Sequence, residues 1–230
     1  MSSNISNKDI KTLGYILRRT NYGEADRILN IITPEGKVSA IAKGVRREKS
    51  KLAGGIELFS LTELIIHKGR SELGTITSAR MKKYYGNILK DFSKMELAAL
   101  ILKKISIVAE SSDNPDFFNI VDQSLSGLDS GLKSELVESW FWLNLAKASG
   151  EEVNLYRDMN GEKLSPEKRY NYNLAEKAFE TKSDGELGAA EIKILRLMFT
   201  AKLTIVMQIK DINSFLPKIL RLARMISGAV

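Results

Sequence analysis

The chain has 230 residues, 43% of them hydrophobic, with no cysteine, one histidine and a formal net charge of +7. That length suits one large domain or two small ones with a real core. No apolar run approaches the roughly 18 residues of a membrane span, and the lack of cysteine excludes disulfides, thiol catalysis and thiolate-bound zinc. The N-terminal MSSNISNKDIKT is polar and has no apolar signal core, which suggests a cytosolic protein.

The charge is uneven. Residues 1–85 hold 16 Lys and Arg against 8 Asp and Glu, residues 86–188 hold 12 against 18, and residues 189–230 hold 7 against 2. This asymmetry points to a polyanion partner for the first segment and also for the last. A membrane surface is the competing polyanion. It requires a basic amphipathic helix with bulky apolar anchors, and the first third of the chain has strand texture instead.

Taken in order, residues 12–19 read as a strand with Leu13, Tyr15 and Leu17 on one face, and residues 21–24 as a turn. Residues 26–33 form a second strand, and Pro34-Glu35-Gly36 closes a hairpin onto a third, residues 37–43. A loop with no strand or helix period follows and ends at Gly54-Gly55. It packs Lys43, Arg46, Arg47, Lys49 and Lys51 around one acid, Glu48. Residues 57–67 and 72–81 are the fourth and fifth strands, joined through Lys68-Gly69-Arg70. Five short strands joined by short turns predict a small barrel of the OB type over residues 1–83.

From Tyr84 the period becomes helical, and residues 84–230 read as a helical domain. Ser93 with Glu96 has the pattern of a capping box before Leu97, Ile101, Ile105 and Val108. Asn114-Pro115-Asp116 opens a second helix whose buried side is Phe117, Phe118, Val121 and Leu125. A third spans about 132–149 with Leu136, Trp140 and Leu143 inward, ended by Gly150. Residues 151–188 carry the turn signals Asn160-Gly161, Ser165-Pro166 and Asp184-Gly185, and read as an irregular excursion with one or two short strands around KRYNYNL. Helical spacing resumes from about 189 to 208. A last helix from about 214 to 225 accommodates Pro217 in its first turn.

Catalytic signatures are missing from the sequence. His67 has no cysteine or second histidine to work with, and there is no GxxxxGK[ST], GxGxxG or HExxH. Asp158, Glu162 and Glu167 are the one acidic group with a metal-like spacing, and solvation of a polar excursion accounts for them. The composition therefore favours binding over turnover.

The basic loop suits a phosphate backbone, because each cation that meets a phosphate releases a condensed counterion. Arg18, Arg19 and Arg70 are supporting cations at strand and loop ends, and since Arg18 and Arg19 alternate faces, one of them at most shares the loop's groove. Tyr15, Tyr22 and Phe59 carry rings able to stack on bases, although alternation assigns Tyr15 and Phe59 to the barrel core. Gly23 and Gly36 shape turns. On the last helix Lys218, Arg221 and Arg224 form a basic stripe beside Leu216, Ile219, Leu220 and Leu222. That stripe fits either an acidic, hydrophobic peptide or a solvated face that complements the helix dipole.

Three stretches together resemble a known family: Tyr22-Gly23-Glu24-Ala25-Asp26, then Thr33-Pro34-Glu35-Gly36-Lys37-Val38, then Ala42-Lys43-Gly44-Val45-Arg46-Arg47 with Lys49-Ser50-Lys51. They are similar to the N-terminal signature of the bacterial recombination mediator RecO, as is the entry to the fifth strand, Ser71-Glu72-Leu73-Gly74-Thr75-Ile76. The resemblance is specific over residues 12–80 and looser through the helices. It implies an OB-fold followed by a helical domain, no enzymatic turnover, and binding of single- and double-stranded DNA. It also implies annealing of complementary strands, with RecR and the single-stranded-DNA-binding protein SSB as partners, so that RecA is loaded during gap repair in the nucleoid. Many members carry a four-cysteine zinc subdomain. The corresponding stretch here, about 151–188, has no cysteine, so no zinc and no other cofactor is expected. Two other classes fit the basic barrel: an OB-fold RNA-binding module, separable by RNA-versus-DNA competition, and a protein-interaction scaffold without nucleic-acid affinity.

Overall fold

Five strands account for most of the first 85 residues in the computed structural model, which describes residues 9–69, 73–151 and 153–229. They are β1 (Asp9–Tyr22), β2 (Asp26–Thr33), β3 (Gly36–Ala42), β4 (Ser60–His67) and β5 (Gly74–Tyr84). The sheet closes on itself in the order β1-β2-β3-β5-β4, an OB-type barrel. β1 is long enough to serve two neighbours. Its first half pairs with β4 and its second half with β2, and a register shift between Ile16 and Arg18 turns it from one to the other. Closure depends on a short parallel pairing, Ala40 to Gly74 and Ile41 to Thr75.

Strand alternation fills the interior. Ile16, Leu29, Ile31, Ala40, Ala42, Leu64, Ile66 and Ile76 form the core, and Val45 and Ile56 enter it from the β3–β4 connection. That connection, residues 43–59, contains a single 3-10 turn at Ala53–Gly55. Leu52, Ala53 and Leu58 lie against the same core, so the connection stoppers one end of the barrel. Gly55 has no alternative there, since a Cβ would stand 2.3 Å from the Ala79 carbonyl oxygen of β5.

Two helices complete the first compact unit, Met1–Asp129: α1 (Phe92–Val108) and α2 (Asp116–Asp129). This unit continues past the change of texture at residues 83 and 84. α1 is capped by Asp91, whose carboxylate accepts the Lys94 N–H at 3.2 Å, and not by Ser93, which lies inside the first turn. A 3-10 turn at Ile88–Lys90 delivers the chain to Asp91 in an extended conformation, and a helix starts at the first competent cap it meets. α2 begins as expected, with Asn114 accepting the Asp116 N–H at 2.9 Å. Phe117, Val121 and Leu125 are buried, and Phe118 packs on Tyr15, ring centroids 5.3 Å apart. The Tyr15 hydroxyl donates to Asp122 and shares a 2.8 Å hydrogen bond with Tyr85, tying strand to helix. Burial, reinforced by those bonds, pushes the Tyr15 hydroxyl far above its usual titration range.

The second unit, Ser130–Val230, is built on α3 (Ser134–Ala148), whose middle, Leu136 to Ala146, is mostly apolar and mostly buried. It packs against α4 (Ala189–Thr200) and α6 (Ile212–Ile226). Its polar atoms finish α4: Trp140 donates to the Ala201 carbonyl at 3.0 Å, Asn144 to Met198 at 3.0 Å and Lys147 to Phe199 at 3.0 Å. The end carbonyls that a helix leaves open are thereby satisfied. The helical stretch from 189 does not run unbroken to 208. It stops at Thr200, and a separate turn, α5 (Leu203–Val206), follows. α6 starts at Ile212, two residues before the expected position, so Pro217 sits in its second turn. The carbonyl left without an N–H partner belongs to Asn213, an exposed residue.

Residues 151–188 form a small hairpin, β6 (Tyr170–Asn173) with β7 (Ala178–Thr181), over a cluster of Val153, Leu155, Tyr170, Phe179 and Leu187. Asp158 holds its loop. One carboxylate oxygen accepts the N–H groups of Asn160 at 2.9 Å and Glu162 at 3.0 Å, and the other accepts the Thr181 hydroxyl at 3.1 Å. Glu162 pairs with Lys168 and Glu167 with Ser165, so the three acids do not converge, and the described residues hold no cluster of metal-ligating side chains.

Burial alone raises the Asp158 carboxyl. The backbone bonds from Glu162 and Asn160, the Thr181 hydroxyl and the Lys168 charge outweigh it and hold the group below the ordinary aspartate value of 3.8. A depressed carboxylate contributes stability above its unfolded pKa and loses it as pH falls through the folded one. Both tryptophans, Trp140 and Trp142, lie in α3, so tryptophan fluorescence reports this unit alone. Wild type is expected to melt above Asp158→Asn at pH 7, with the gap closing as pH falls below about 3.8. A gap unchanged at pH 2 contradicts the role given to the carboxylate.

Candidate nucleic-acid interface

The connection leaving β3 begins as two successive turns, marked by hydrogen bonds from Arg47 N–H to Gly44 at 3.1 Å and from Ser50 N–H to Arg47 at 3.0 Å. Its root is fixed to the β1–β2 hairpin. The Asp26 carboxylate accepts the Gly44 N–H at 2.6 Å, and the Ala25 carbonyl accepts the Arg46 N–H at 2.8 Å. Gly44 has φ +62°, which an L side chain rarely adopts, and Val45 is drawn into the core at 4% exposure. A rigid root therefore carries a charged tip.

Lys43, Arg46, Arg47, Lys49 and Lys51 are all exposed. None of the five forms an ion pair with another described residue, and the Arg46 guanidinium has one weak bond, 3.4 Å to the Gly23 carbonyl. Glu48 is the only acid among them and is exposed too. Nearby cations are treated differently: Arg19 is paired with Glu57 at 2.8 Å. The β1 register shift explains the difference between the two arginines. Arg19 lies opposite the core residue Leu29, which turns it toward the barrel mouth where Glu57 waits, whereas Arg18 lies opposite Asn30 on the outer face and is exposed. Arg70 lies outside the described residues.

Tyr15 and Phe59 are buried, as alternation implies. Tyr22 is 55% exposed and pairs with Asp26, so its ring stands at the root of the loop. Arg27 joins this end of the sheet unannounced by the sequence. It lies opposite Ala42, the last residue before Lys43, with its Nε 3.2 Å from Asn21. Only strand pairing brings it there. The loop, Tyr22 and Arg27 together present cations and one exposed aromatic ring around fixed backbone, an arrangement able to neutralise phosphates and stack a base.

In the second unit Lys218 pairs with Glu191 at 3.3 Å, Arg221 with Glu186, and Arg224 with Glu138 at 2.7 Å. Lys218, Arg221, Leu222 and Met225 border a groove of about 280 Å³ that Tyr172 and Leu187 complete. The stripe is thus partly neutralised by acids of its own unit. Among the described residues no helix is long and apolar enough to cross a membrane.

Residues 7–85 match the family described as recombination protein O, N-terminal. These residues, about a third of the chain, are similar to that family. Proteins named DNA repair protein RecO resemble the chain further. One from Alkaliphilus metalliredigens strain QYMF is 36% identical over 149 residues, 64% of this chain and 60% of its own. One from Dehalococcoides mccartyi strain 195 is 34% identical over 152 residues, 64% of this chain and 58% of its own. One from Rubrobacter xylanophilus is 33% identical over 142 residues, 61% of this chain and 57% of its own. The matches thus span about 60% of the length of these curated relatives. The RecO signature lies on the site: Tyr22–Asp26 is the hairpin that holds the loop, and Ala42–Lys51 is the loop itself.

The root contacts make a testable claim. Asp26→Ala removes an acid beside the cations, and charge alone predicts tighter binding of single-stranded DNA. Because that carboxylate fixes Gly44, the variant is instead expected to bind about three- to tenfold more weakly, the cost of ordering a freed loop. Asp26→Asn, which keeps an acceptor oxygen, is expected to bind at least as well as wild type in the same titration. Tighter binding by Asp26→Ala contradicts the positioning role.

Proposed function

We propose that this chain is a DNA-binding recombination mediator that acts in DNA repair without catalytic turnover. The observation that carries the reading is the set of five exposed cations, Lys43, Arg46, Arg47, Lys49 and Lys51, without ion-pair partners among the described residues and on a loop whose backbone is fixed to the sheet. Solvated surface lysines and arginines near acids pair readily, as Arg19 and Lys37 do. A cluster of five cations with one acid, Glu48, among them is suited to an anion supplied from outside.

The contacts are chiefly to phosphate, since the connection that carries the cations, residues 43–59, holds a 3-10 turn and no helix to enter a major groove. Single- and double-stranded DNA both satisfy such a surface. Annealing follows if the barrel holds two backbones and screens their repulsion. By the family resemblance the reading extends to RecR and SSB as partners, to RecA loading on SSB-coated DNA, and to a cytoplasmic, nucleoid-associated site of action. The acidic, hydrophobic tail of SSB is suited to the groove of α6, where Lys218 and Arg221 exchange an internal carboxylate for one from the tail, with Arg224 on the same helix beside it. No zinc is needed in this scheme. Asp158 and the Tyr170–Phe179 cluster hold the segment that other members build around metal.

Titration of a fluorescent single-stranded oligonucleotide at several salt concentrations tests the reading. Replacing the five loop cations by alanine is expected to weaken binding and to flatten the log–log salt slope by up to about 3.5, at roughly 0.7 per phosphate contact. An unchanged slope places DNA elsewhere. Preference for RNA over DNA of the same sequence favours an RNA-binding module, and absence of binding at low salt favours a protein scaffold.

A further inference from the structure

The barrel carries a second group of cations, on strands rather than on the loop. Lys11 of β1 and Lys82 of β5 stand 3.3 Å and 3.8 Å from the carboxylate of Glu63 on β4. Arg80 faces Glu63 directly across the β4–β5 ladder. Leu64 and Ile66 point into the core, so Glu63 and its neighbours Leu61 and Ile65 belong to the outer face. Lys11, Arg80 and Lys82 are exposed there.

One carboxylate needs one cross-strand cation, and other pairs in this chain, such as Arg19 with Glu57 and Arg224 with Glu138, stop at one. Three cations around Glu63 leave an excess of two positive charges on one strip of sheet. Their combined effect is visible at the acid. The hydrogen bond from Lys11 comes first, and the charges of Lys11, Lys82 and Arg80 add to it against a partial burial, holding the Glu63 carboxyl below the usual glutamate range. The centre of the group is therefore a place that favours a single negative charge on paired oxygens. A phosphodiester offers the same charge and the same kind of oxygens, and a guanidinium beside it can bind both of them.

We propose that this β1–β4–β5 face is a second phosphodiester-binding surface, independent of the loop, with Glu63 as its built-in competitor. The inference rests on the DNA-binding reading above and deepens it. One barrel then engages two stretches of backbone, and Glu63 keeps the second engagement weak enough to release.

The test uses the full chain and a labelled oligothymidylate. Starting from the variant with alanine at the five loop positions, some salt-dependent binding is expected to remain. Adding Lys11→Ala, Arg80→Ala and Lys82→Ala should abolish it and lower the slope by about a further 2, at roughly 0.7 per contact. Glu63→Gln in the otherwise native chain should tighten binding about two- to fivefold at low salt, the scale of one exposed charge pair. Melting of each variant by circular dichroism confirms that the barrel is intact. If the loop variant retains no binding, or if the three added substitutions leave its residual binding unchanged, the second surface is overturned while the loop site stands. If Glu63→Gln melts earlier without binding tighter, the cations serve only to neutralise Glu63 and the proposal also falls. A wild-type chain that binds no DNA overturns the functional reading itself.

Discussion

Closure of the barrel rests on two residue pairs, Ala40 with Gly74 and Ile41 with Thr75. Because that pairing is parallel, the chain cannot return by a tight hairpin. It must leave the far end of β3, cross the barrel mouth and come back as β4 before β5 can lie beside β3. The crossing segment is short on secondary structure, so it is held by insertion: Val45 and Ile56 in the core, and Gly55 against the Ala79 carbonyl. Gly74 makes the seam itself possible, since a Cβ there would come within 2.6 Å of Ile66. The basic loop is the first part of this crossing. Its position follows from topology, and its charge is free to serve another purpose.

The proposed purpose, binding an external polyanion, rests on how acids are distributed. Where the fold uses a cation for its own stability it supplies an acid at contact distance, as for Arg19, Lys37, Lys168, Lys218 and Arg224. Exposed pairs of this kind contribute little, at most about 1 kcal/mol each, so leaving five loop cations without partners costs the fold almost nothing. It leaves a field that reaches about 10 Å into solution at moderate salt. The hairpin contacts at Gly44 and Arg46 set where that field points. The hairpin and loop that carry this arrangement lie within residues 7–85, the stretch similar to the RecO N-terminal family.

Much of this was legible in the sequence because it depended on neighbours in the chain. Alternation revealed the strands, Pro34-Glu35-Gly36 revealed the β2–β3 turn, Asn114 revealed the start of α2, and the charge run revealed the loop. What stayed hidden depended on residues distant in sequence. The bulge in β1 decides that Arg19 turns inward to Glu57 while Arg18 faces out, and no local pattern encodes it. Arg27 reaches the site only because β2 pairs with β3 at Ala42. Helix starts differ from the local pattern where two competent residues compete, as with Asp91 and Ser93, because the preceding 3-10 turn makes the choice. The excursion's hold on itself lies in Asp158 bonds to amides and to Thr181, which composition alone cannot distinguish from a solvated acid.

The central claim, that DNA meets the barrel at the hairpin-anchored loop, is tested most directly by photo-crosslinking the intact chain to a bromodeoxyuridine oligonucleotide and mapping the modified peptides. The account predicts adducts on Tyr22 and within residues 43–51, lost at high salt and absent when the five loop cations are replaced. Adducts confined to residues 130–230, with none on the barrel, would contradict it.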